Sequence, residues 1–213
     1  MQILLQEIIP TYFEKEQIAG SEIWGKNIAF SKGENVHIVS PSGSGKTSLI
    51  HFIYGLRKDY EGNISYQNED IKNFSLEKFS ILRQKNVSIV FQDLRLFTEQ
   101  TAKENIELKR QLNPYHPGEK IDEMAKRLGI KNKLNRLAKT CSYGEQQRIA
   151  IIRSLMQPFD FLLLDEPFSN LDENNRNKAF ELIEEECKQR NASMIFADLK
   201  QLDFFTGQII LKL

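Results

Sequence analysis

Short apolar runs rich in β-branched residues alternate along the chain with longer stretches in which apolar positions recur every three or four residues. The first pattern is typical of buried strands and the second of helices. Strands are predicted over Gln2–Ile9, Glu22–Phe30, Val36–Val39, Asn63–Gln67, Val87–Phe91, Phe161–Leu164, Ser193–Ala197 and Gln208–Leu213. Helices are predicted over Thr47–Leu56, Ser75–Arg83, Glu119–Leu128, Ser142–Met156 and Glu173–Arg190. This alternation indicates an α/β fold with a mostly parallel sheet covered on both sides.

The character of the chain changes between residues 101 and 140, where it becomes polar and helical in period. Thr101 and Glu104 are predicted to form a capping box that opens one helix, and the segment Asn113–Gly118 breaks that helix. We therefore expect a helical insertion rather than a separate domain. The predicted division is a single domain 1–213, with a core of 1–92 and 158–213 and a helical subdomain of about 93–157.

The composition indicates a cytosolic globular protein. The 213 residues carry 29 basic and 29 acidic side chains, so no positive excess favours nucleic acid or an anionic membrane. No apolar run approaches the ~20 residues of a membrane-spanning helix. The start of the chain contains Glu7 and no basic segment, unlike a signal peptide. Cys141 and Cys187 are far apart and lack metal-site spacing, so reduced thiols are expected.

A loop of small residues follows Val36–Val39 and leads into a helix that begins near Lys46. Gly43 and Gly45 permit backbone conformations in which successive amides turn toward phosphate oxygens. Lys46 would place its charge on the β- and γ-phosphates, and the Thr47 hydroxyl could bind Mg²⁺. An ordinary Ser/Gly loop is the alternative. The candidate nucleotide-binding residues of this loop are Ser40, Pro41, Ser42, Gly43, Ser44, Gly45, Lys46, Thr47 and Ser48.

Polar residues follow two other apolar runs at the points where the predicted strands end. Asp165 and Glu166 come directly after Phe161–Leu164, and Gln92 follows Val87–Phe91. Asp165 is a candidate ligand of Mg²⁺, and Glu166 is a candidate base for the water that attacks the γ-phosphate. Gln92 could orient that water or complete the metal shell. The alternative is that these strands merely end in polar turn residues. Such strand ends share one edge of a parallel sheet, where ligands bind.

Five motifs in this order resemble the ATP-binding cassette family over nearly the whole chain. They are Ser40–Thr47, Phe91–Asp93, the segment Cys141–Arg148 (Cys-Ser-Tyr-Gly-Glu-Gln-Gln-Arg), Leu164–Pro167 and Ser169–Asp172. Within the family, Phe91–Phe97 and Thr101–Asn105 resemble the cell-division and lipoprotein-release group of subunits. The resemblance implies a P-loop NTPase fold of the RecA-like type, with an antiparallel β edge and the helical subdomain inserted.

The resemblance also implies ligands and partners. ATP and Mg²⁺ would lie between two copies of this chain in a head-to-tail dimer. Asp172 would lie at the dimer interface, and Tyr12 would stack on adenine. A transmembrane permease subunit would dock near Leu94–Phe97, and the alternative is that these apolar residues are core of the helical subdomain. The residues implied to reach ATP on the partner cassette are Ser142, Tyr143, Gly144 and Glu145.

The sequence departs from the family pattern at Ser40, Tyr143 and Asp198. Ser40 replaces the first glycine of the loop, and a serine held at positive φ would cost roughly 1 kcal/mol or more. Tyr143 replaces the first signature glycine, and Asp198 takes the place of a histidine that would touch the γ-phosphate. Two like charges about 4 Å apart repel by roughly 4 kcal/mol at an effective dielectric near 20. Asp198 must therefore turn away, be protonated, or impair hydrolysis.

These features predict an ATPase subunit that is cytoplasmic and peripheral on the inner face of the cell membrane. It would bind and hydrolyse ATP, with weak hydrolysis, to drive a transmembrane partner. The alternative is a nucleotide-gated module that binds ATP, dimerises and signals with little turnover. A third function, on DNA or ribosomes, is disfavoured because the chain shows no coiled-coil insertion, second cassette or basic excess.

Overall fold

The computed structural model describes residues 1–201 and 209–213. The strands are β1 (Gln2–Pro10), β2 (Asn27–Ser31), β3 (Val36–Val39), β4 (Tyr60–Tyr66), β5 (Glu69–Asp70), β6 (Val87–Val90), β7 (Phe161–Asp165), β8 (Ser193–Asp198) and β9 (Ile209–Lys212). The helices are α1 (Lys15–Ile18), α2 (Lys46–Ile53), α3 (Leu76–Lys85), α4 (Ala102–Leu112), α5 (Glu119–Arg127), α6 (Tyr143–Leu155) and α7 (Glu173–Gln189). Gln208, with which the predicted terminal strand begins, lies outside the described residues.

A parallel sheet of five strands, in the order β6-β7-β8-β3-β9, forms the centre of the fold. Leu163 of β7 and Val36 of β3 both pair with Ile195 of β8. The strands that precede the candidate site residues therefore run side by side, and their carboxyl ends meet at one edge. The predicted mostly parallel sheet is confirmed.

The antiparallel strands form a sheet of their own, in the order β2-β1-β4-β5, rather than extending the parallel one. The predicted strand Glu22–Phe30 begins only at Asn27. Before it the chain turns, because the Ser21 hydroxyl accepts hydrogen bonds from the amides of Ile23 and Trp24. Gly25 then adopts a φ of +70°. A local side-chain hydrogen bond thus replaced the sheet ladder that the apolar pattern suggested.

Both faces of the parallel sheet are buried. Phe161 and Leu163 of β7 pack into one apolar cluster with the antiparallel sheet and α2. Leu162 and Leu164 pack into a second cluster with α4, α5, α6 and α7. Alternate residues of one wholly apolar strand thus supply two cores, as expected for a strand covered on both sides.

The helices that follow β6 belong to the second apolar cluster. Thr101 caps α4 and exchanges hydrogen bonds with Glu104, so the predicted capping box is confirmed. Ile149 and Ile152, predicted to lie on the core face of α6, are fully buried. No helix within residues 1–201 and 209–213 is both long enough and apolar enough to cross a membrane.

Candidate functional site

The loop between β3 and α2 contains two glycines in the left-handed region, each for a different reason. Gly43 has a φ of +83°, and a Cβ added there would meet nothing within 4 Å. Gly45 has a φ of +93°, and a Cβ would lie 2.8 Å from the Phe13 ring and 2.9 Å from Trp24. Gly43 thus leaves open space above the loop, whereas Gly45 lets the loop backbone pack closely against the rings of Phe13 and Trp24.

Ser40 joins the start of this loop to two neighbouring strands. Its amide donates to the Asp198 carbonyl at 3.1 Å, and its hydroxyl donates to the main-chain oxygen of Leu213 at 2.8 Å. Ser40 is buried and does not adopt a positive φ. The backbone strain considered for a serine at this position therefore does not arise.

The Lys46 ammonium lies at the centre of the candidate site. It donates to the carbonyls of Ser40 and Pro41, each at 2.9 Å, and lies 3.5 Å from a carboxylate oxygen of Glu166. Only 4% of Lys46 is exposed. The amine is thus held beneath a cleft of about 230 Å³ whose lining includes Ser42.

Gln92 connects two of the predicted residues. Its Oε1 accepts a hydrogen bond from the Thr47 hydroxyl at 3.2 Å, and its Nε2 donates to Glu166 at 3.1 Å. Glu166 itself adopts a φ of +45°, which is unusual for a residue with a Cβ. The structure therefore brings together Thr47, Gln92, Glu166 and Lys46, as the order of the strands predicts.

Asp165, at the end of β7, is 1% exposed. Neither carboxylate oxygen has a hydrogen-bond partner among the residues that the structure describes. Burial raises the pKa of Asp165 to about 6, against a smaller lowering by the neighbouring Thr47 hydroxyl. A buried carboxylate without donors is costly, and a cation or a proton would offset that cost.

Asp198 ends β8 beside the phosphate loop and turns its carboxylate back on its own chain. Oδ1 accepts a hydrogen bond from the Leu199 amide at 2.6 Å. Burial raises the pKa of Asp198, the Leu199 amide opposes this, and the negative charge of Glu166 adds to it. The like charges of Asp198 and Glu166 therefore act on each other at the site.

The predicted signature residues surround the start of α6. Ser142 caps the helix in a capping box with Glu145, which accepts from the Ser142 amide at 2.8 Å. A Cβ on Gly144 would lie 2.8 Å from the Asn170 carbonyl, so this glycine permits close packing within the chain. The Tyr143 phenol donates to the main-chain oxygen of Gln92 at 3.3 Å.

Tyr12 and Asp172 lie at the margins of the site. The Tyr12 ring is 48% exposed, packs under the Arg57 guanidinium 5.0 Å away, and shares a 2.5 Å hydrogen bond with the Ser48 hydroxyl. Asp172 caps α7 and accepts a hydrogen bond from the Asn175 amide at 2.9 Å. Their roles in stacking on adenine and at a dimer seam stay predictions.

Gln147, for which the sequence predicts no role of its own, lies fully inside the protein. Its Nε2 donates to the Glu166 carbonyl at 3.3 Å, and its Oε1 accepts from the Asn170 amide at 3.1 Å. Gln147 thus connects α6 to the residues that follow β7. The signals in the sequence were its place in the segment Cys141–Arg148 and its polar character among the apolar positions of a helix.

The segment Leu94–Phe97, for which the sequence left open a docking surface or a place in the core, contains both a buried and an exposed residue. Leu94 is 2% exposed and belongs to the second apolar cluster, whereas Phe97 is 57% exposed. Leu94 and Arg95 adopt positive φ, and their carbonyls accept hydrogen bonds from the buried Arg153 guanidinium. Beside them lies a largely apolar groove of about 450 Å³.

A glycine loop between a parallel strand and a helix, with acidic residues at the end of another strand of the same sheet, defines the chain as a P-loop nucleotide-binding protein. The model of a known family, the ABC transporter family, matches residues 25–169. The chain belongs to the ABC transporter family. The predicted family, its fold and the class of ATPase subunit are confirmed.

Relatives and solved structures agree with this assignment. The lipoprotein-releasing system ATP-binding protein LolD of Legionella pneumophila is 34% identical over 174 residues, which are 80% of this chain and 77% of LolD. The macrolide export ATP-binding/permease protein MacB of Nitrosomonas europaea is 34% identical over 164 residues, 76% of this chain. The chain spans about a quarter of the length of MacB, as 25% of it is matched. The LolD match confirms the narrower resemblance to the lipoprotein-release group.

The structural comparison covers almost the whole chain. The dimeric bacterial ABC transporter cassette MJ0796 has a TM-score of 0.82 and 26% identity, and the match covers 99% of this chain and 94% of that one. A second dimeric structure of MJ0796, in a post-hydrolysis state bound to ADP and Pi, has a TM-score of 0.78 and 25% identity over 93% of this chain and 88% of that one.

Proposed function

We propose that this chain is the ATP-binding and ATP-hydrolysing subunit of a membrane transport complex. It would act at the cytoplasmic face of the membrane, where it would drive a transmembrane permease. The observation that carries the proposal is the arrangement of Lys46, Gln92 and Glu166 around one cleft that Gly43 also lines. These are the cation, the polar positioning group and the base that phosphoryl transfer to water requires.

The loop and the end of β7 fit a nucleotide with Mg²⁺. Open space above Gly43 and the buried ammonium of Lys46 suit phosphate oxygens. The buried Asp165 carboxylate lacks hydrogen-bond donors among the described residues, as expected for a group that faces a cation. Thr47, Gln92 and Asp165 would hold Mg²⁺, which when bound would neutralise charge on the phosphates.

Within this site the side chains divide the chemistry of hydrolysis. Lys46 would bind the terminal phosphate oxygens in place of its present carbonyl partners. Gln92, which already donates to Glu166, would orient a water molecule between them, and Glu166 would accept the proton of that water. Glu166 stands at the end of a buried strand, so its carboxylate is held in place before the reaction begins.

Asp198 supports the weaker hydrolysis that the sequence predicts. An ionised carboxylate accepts hydrogen bonds and cannot donate one to a phosphate. Its carboxylate binds the Leu199 amide, so it turns partly away, yet its charge still acts on Glu166. The same observation favours the second candidate function, a nucleotide-gated module that binds ATP and dimerises with little turnover.

The working unit would be a head-to-tail dimer of two copies of this chain. The start of α6, with Ser142 as its cap, would face the nucleotide on the partner cassette, and helix N-termini suit phosphate groups. Asp172, exposed at the start of α7, would lie at the seam. Residues 93–157 would form a helical subdomain that moves with the permease. The dimeric MJ0796 cassettes support this arrangement.

The permease would dock in the groove beside Phe97. Phe91, Phe97 and Leu112 supply apolar surface there, and Arg95 and Lys109 supply positive charge. Phe97 and Leu112 are 57% and 61% exposed, so the groove has apolar surface to bury. An apolar segment that also carries acidic side chains would match this surface.

The proposal is tested by measuring ATP affinity and steady-state phosphate release for the wild type and for Lys46→Ala. Lys46→Ala should lower ATP affinity at least about tenfold, because a buried charge-assisted contact to phosphate is lost. Lys188→Ala, at a side chain that is 70% exposed, is the control and should change nothing. Unchanged affinity in Lys46→Ala would overturn the proposal, whereas ATP-dependent dimerisation without phosphate release would favour the nucleotide-gated module.

A further inference from the structure

Tyr143 reaches across from α6 to the loop that carries Gln92, within one chain. Its phenol donates to the Gln92 main-chain oxygen at 3.3 Å, and the two residues are separated by 51 positions. Tyr143 is 48% exposed, so about half of the residue is open to solvent. The hydrogen bond is the specific interaction that a tyrosine adds at this position and that a glycine would lack.

Gln92 is consequently held from two sides. Its side chain binds the Thr47 hydroxyl at 3.2 Å and Glu166 at 3.1 Å, and its main chain accepts from Tyr143. An amide side chain that bridges two groups loses conformational entropy. A backbone that is already fixed lowers the entropy cost of placing that side chain. A contact on the Gln92 carbonyl can therefore influence how well the side chain serves the metal and the water.

The element that carries Tyr143 is suited to this role because its first turn is fixed. Ser142 and Glu145 close a capping box around the turn, and Lys133 lies 2.9 Å from the Glu145 carboxylate. Two positions past the box, the buried Gln147 binds the Glu166 carbonyl. The same helix end thus contacts the backbones of both Gln92 and Glu166.

We propose that Tyr143 is a positioning residue that holds Gln92 in place for the Mg²⁺-nucleotide through the main-chain oxygen of Gln92. The inference rests on the proposed function, since it concerns the same site. Tyr143 would act through Gln92 rather than by touching the nucleotide of its own chain. A tyrosine at the start of α6 is bulkier than a glycine, and its phenol supplies a hydrogen bond to Gln92 that a glycine could not.

The test compares Mg²⁺ dependence in Tyr143→Phe, Tyr143→Gly and the wild type. Trp24 is the single tryptophan, and its indole donates to the Ser44 carbonyl at 3.2 Å, so its fluorescence can report binding at the phosphate loop. ATP is titrated first with EDTA present, and Mg²⁺ is then titrated at saturating ATP. Tyr115→Phe is the matched control, because it removes the same hydroxyl from a residue beside Met156, past the far end of α6.

Loss of the Tyr143 hydroxyl should raise the Mg²⁺ concentration at half-saturation by about two- to tenfold, the range expected for one neutral hydrogen bond. ATP affinity in EDTA should stay unchanged, and Tyr143→Gly should show at least the shift of Tyr143→Phe. Two results would overturn the inference: a Mg²⁺ midpoint no different from that of Tyr115→Phe, or an equal loss of ATP affinity with and without Mg²⁺. Failure of the wild type to bind ATP at all would instead overturn the proposed function and the inference with it.

Discussion

The ammonium of Lys46 and the carboxylate of Glu166 lie 3.5 Å apart, although Lys46 begins α2, Glu166 follows β7, and the two are 120 residues apart in the chain. Lys46 is at the same time bound by the carbonyls of Ser40 and Pro41. The candidate base is therefore positioned by the residue that would bind the phosphate.

Glu166→Gln should nearly abolish phosphate release while ATP binding is retained. An amide has the shape of the carboxylate but cannot accept the proton of the attacking water. The hydrogen bond with Gln92 can persist after rotation of the new amide, so the cleft should stay intact. Steady-state phosphate release and equilibrium ATP binding are the two measurements. Turnover equal to that of the wild type would refute the assignment of Glu166 as the base.

Asp165→Asn should stabilise the protein in the absence of nucleotide. The pKa of Asp165 is about 6 in the folded protein, above its ordinary value near 4, so its ionisation opposes folding. That cost is present above about pH 6 and disappears as the pH falls from 6 to 4. We expect a gain in unfolding free energy of about 1–3 kcal/mol at pH 8 and little gain at pH 4.

Urea unfolding at both pH values measures this effect. The matched control is Asp122→Asn, at a carboxylate that is 45% exposed and 3.8 Å from Lys131. It should change the free energy by no more than about 0.5 kcal/mol at either pH. A gain that is equal at pH 8 and pH 4 would show that ionisation of Asp165 is not the cause.

Asp198→His should increase the rate of phosphate release, because a donor would replace a carboxylate beside the γ-phosphate position. Asp198→Asn separates the two contributions, since it removes the charge without supplying an imidazole. Because the pKa of Asp198 is raised by burial, the wild-type carboxyl becomes neutral at a less acidic pH than usual. The rate advantage of Asp198→Asn should therefore shrink as the pH is lowered. No rate increase in either variant, with ATP affinity intact, would mean that this position does not limit turnover.

Gln147→Met should destabilise the protein by about 1–3 kcal/mol, since the shape is kept while buried partners are left without hydrogen bonds. The Asn170 amide and the Glu166 carbonyl would each lose a partner. Because Glu166 has a φ of +45°, its carboxylate should also be less well positioned. We expect kcat to fall with little change in KM. Gln146→Met, one residue away on a less buried face, is the comparison, and equal effects of both variants would argue against a specific role for Gln147.

The parts of the site that could be predicted are those whose conformation is determined by a few adjacent residues. The order strand, glycine loop and Lys46, and the acids after β7, depend on local conformation and on the rule that parallel strands end at one edge. The contacts of Ser40 with Leu213 and of Tyr143 with Gln92 depend on how distant segments pack, which no local pattern encodes. The turn at Ser21 has a different cause: it is a local side-chain hydrogen bond, which apolar periodicity does not reveal, and it shortened a predicted strand.

The hydrogen bond from the Ser40 hydroxyl to Leu213, the residue after β9, joins the start of the phosphate loop to the end of that strand. Among the described residues β9 pairs with β3 only, so it forms an edge of the parallel sheet. Edge strands are the elements that fray most readily, so unzipping of β9 would release the first residue of the phosphate loop at the same moment. Amide hydrogen exchange at Ser40 and at Ile209–Lys212 should therefore slow in parallel when nucleotide binds. The stability of this edge strand would then control the stability of the phosphate loop.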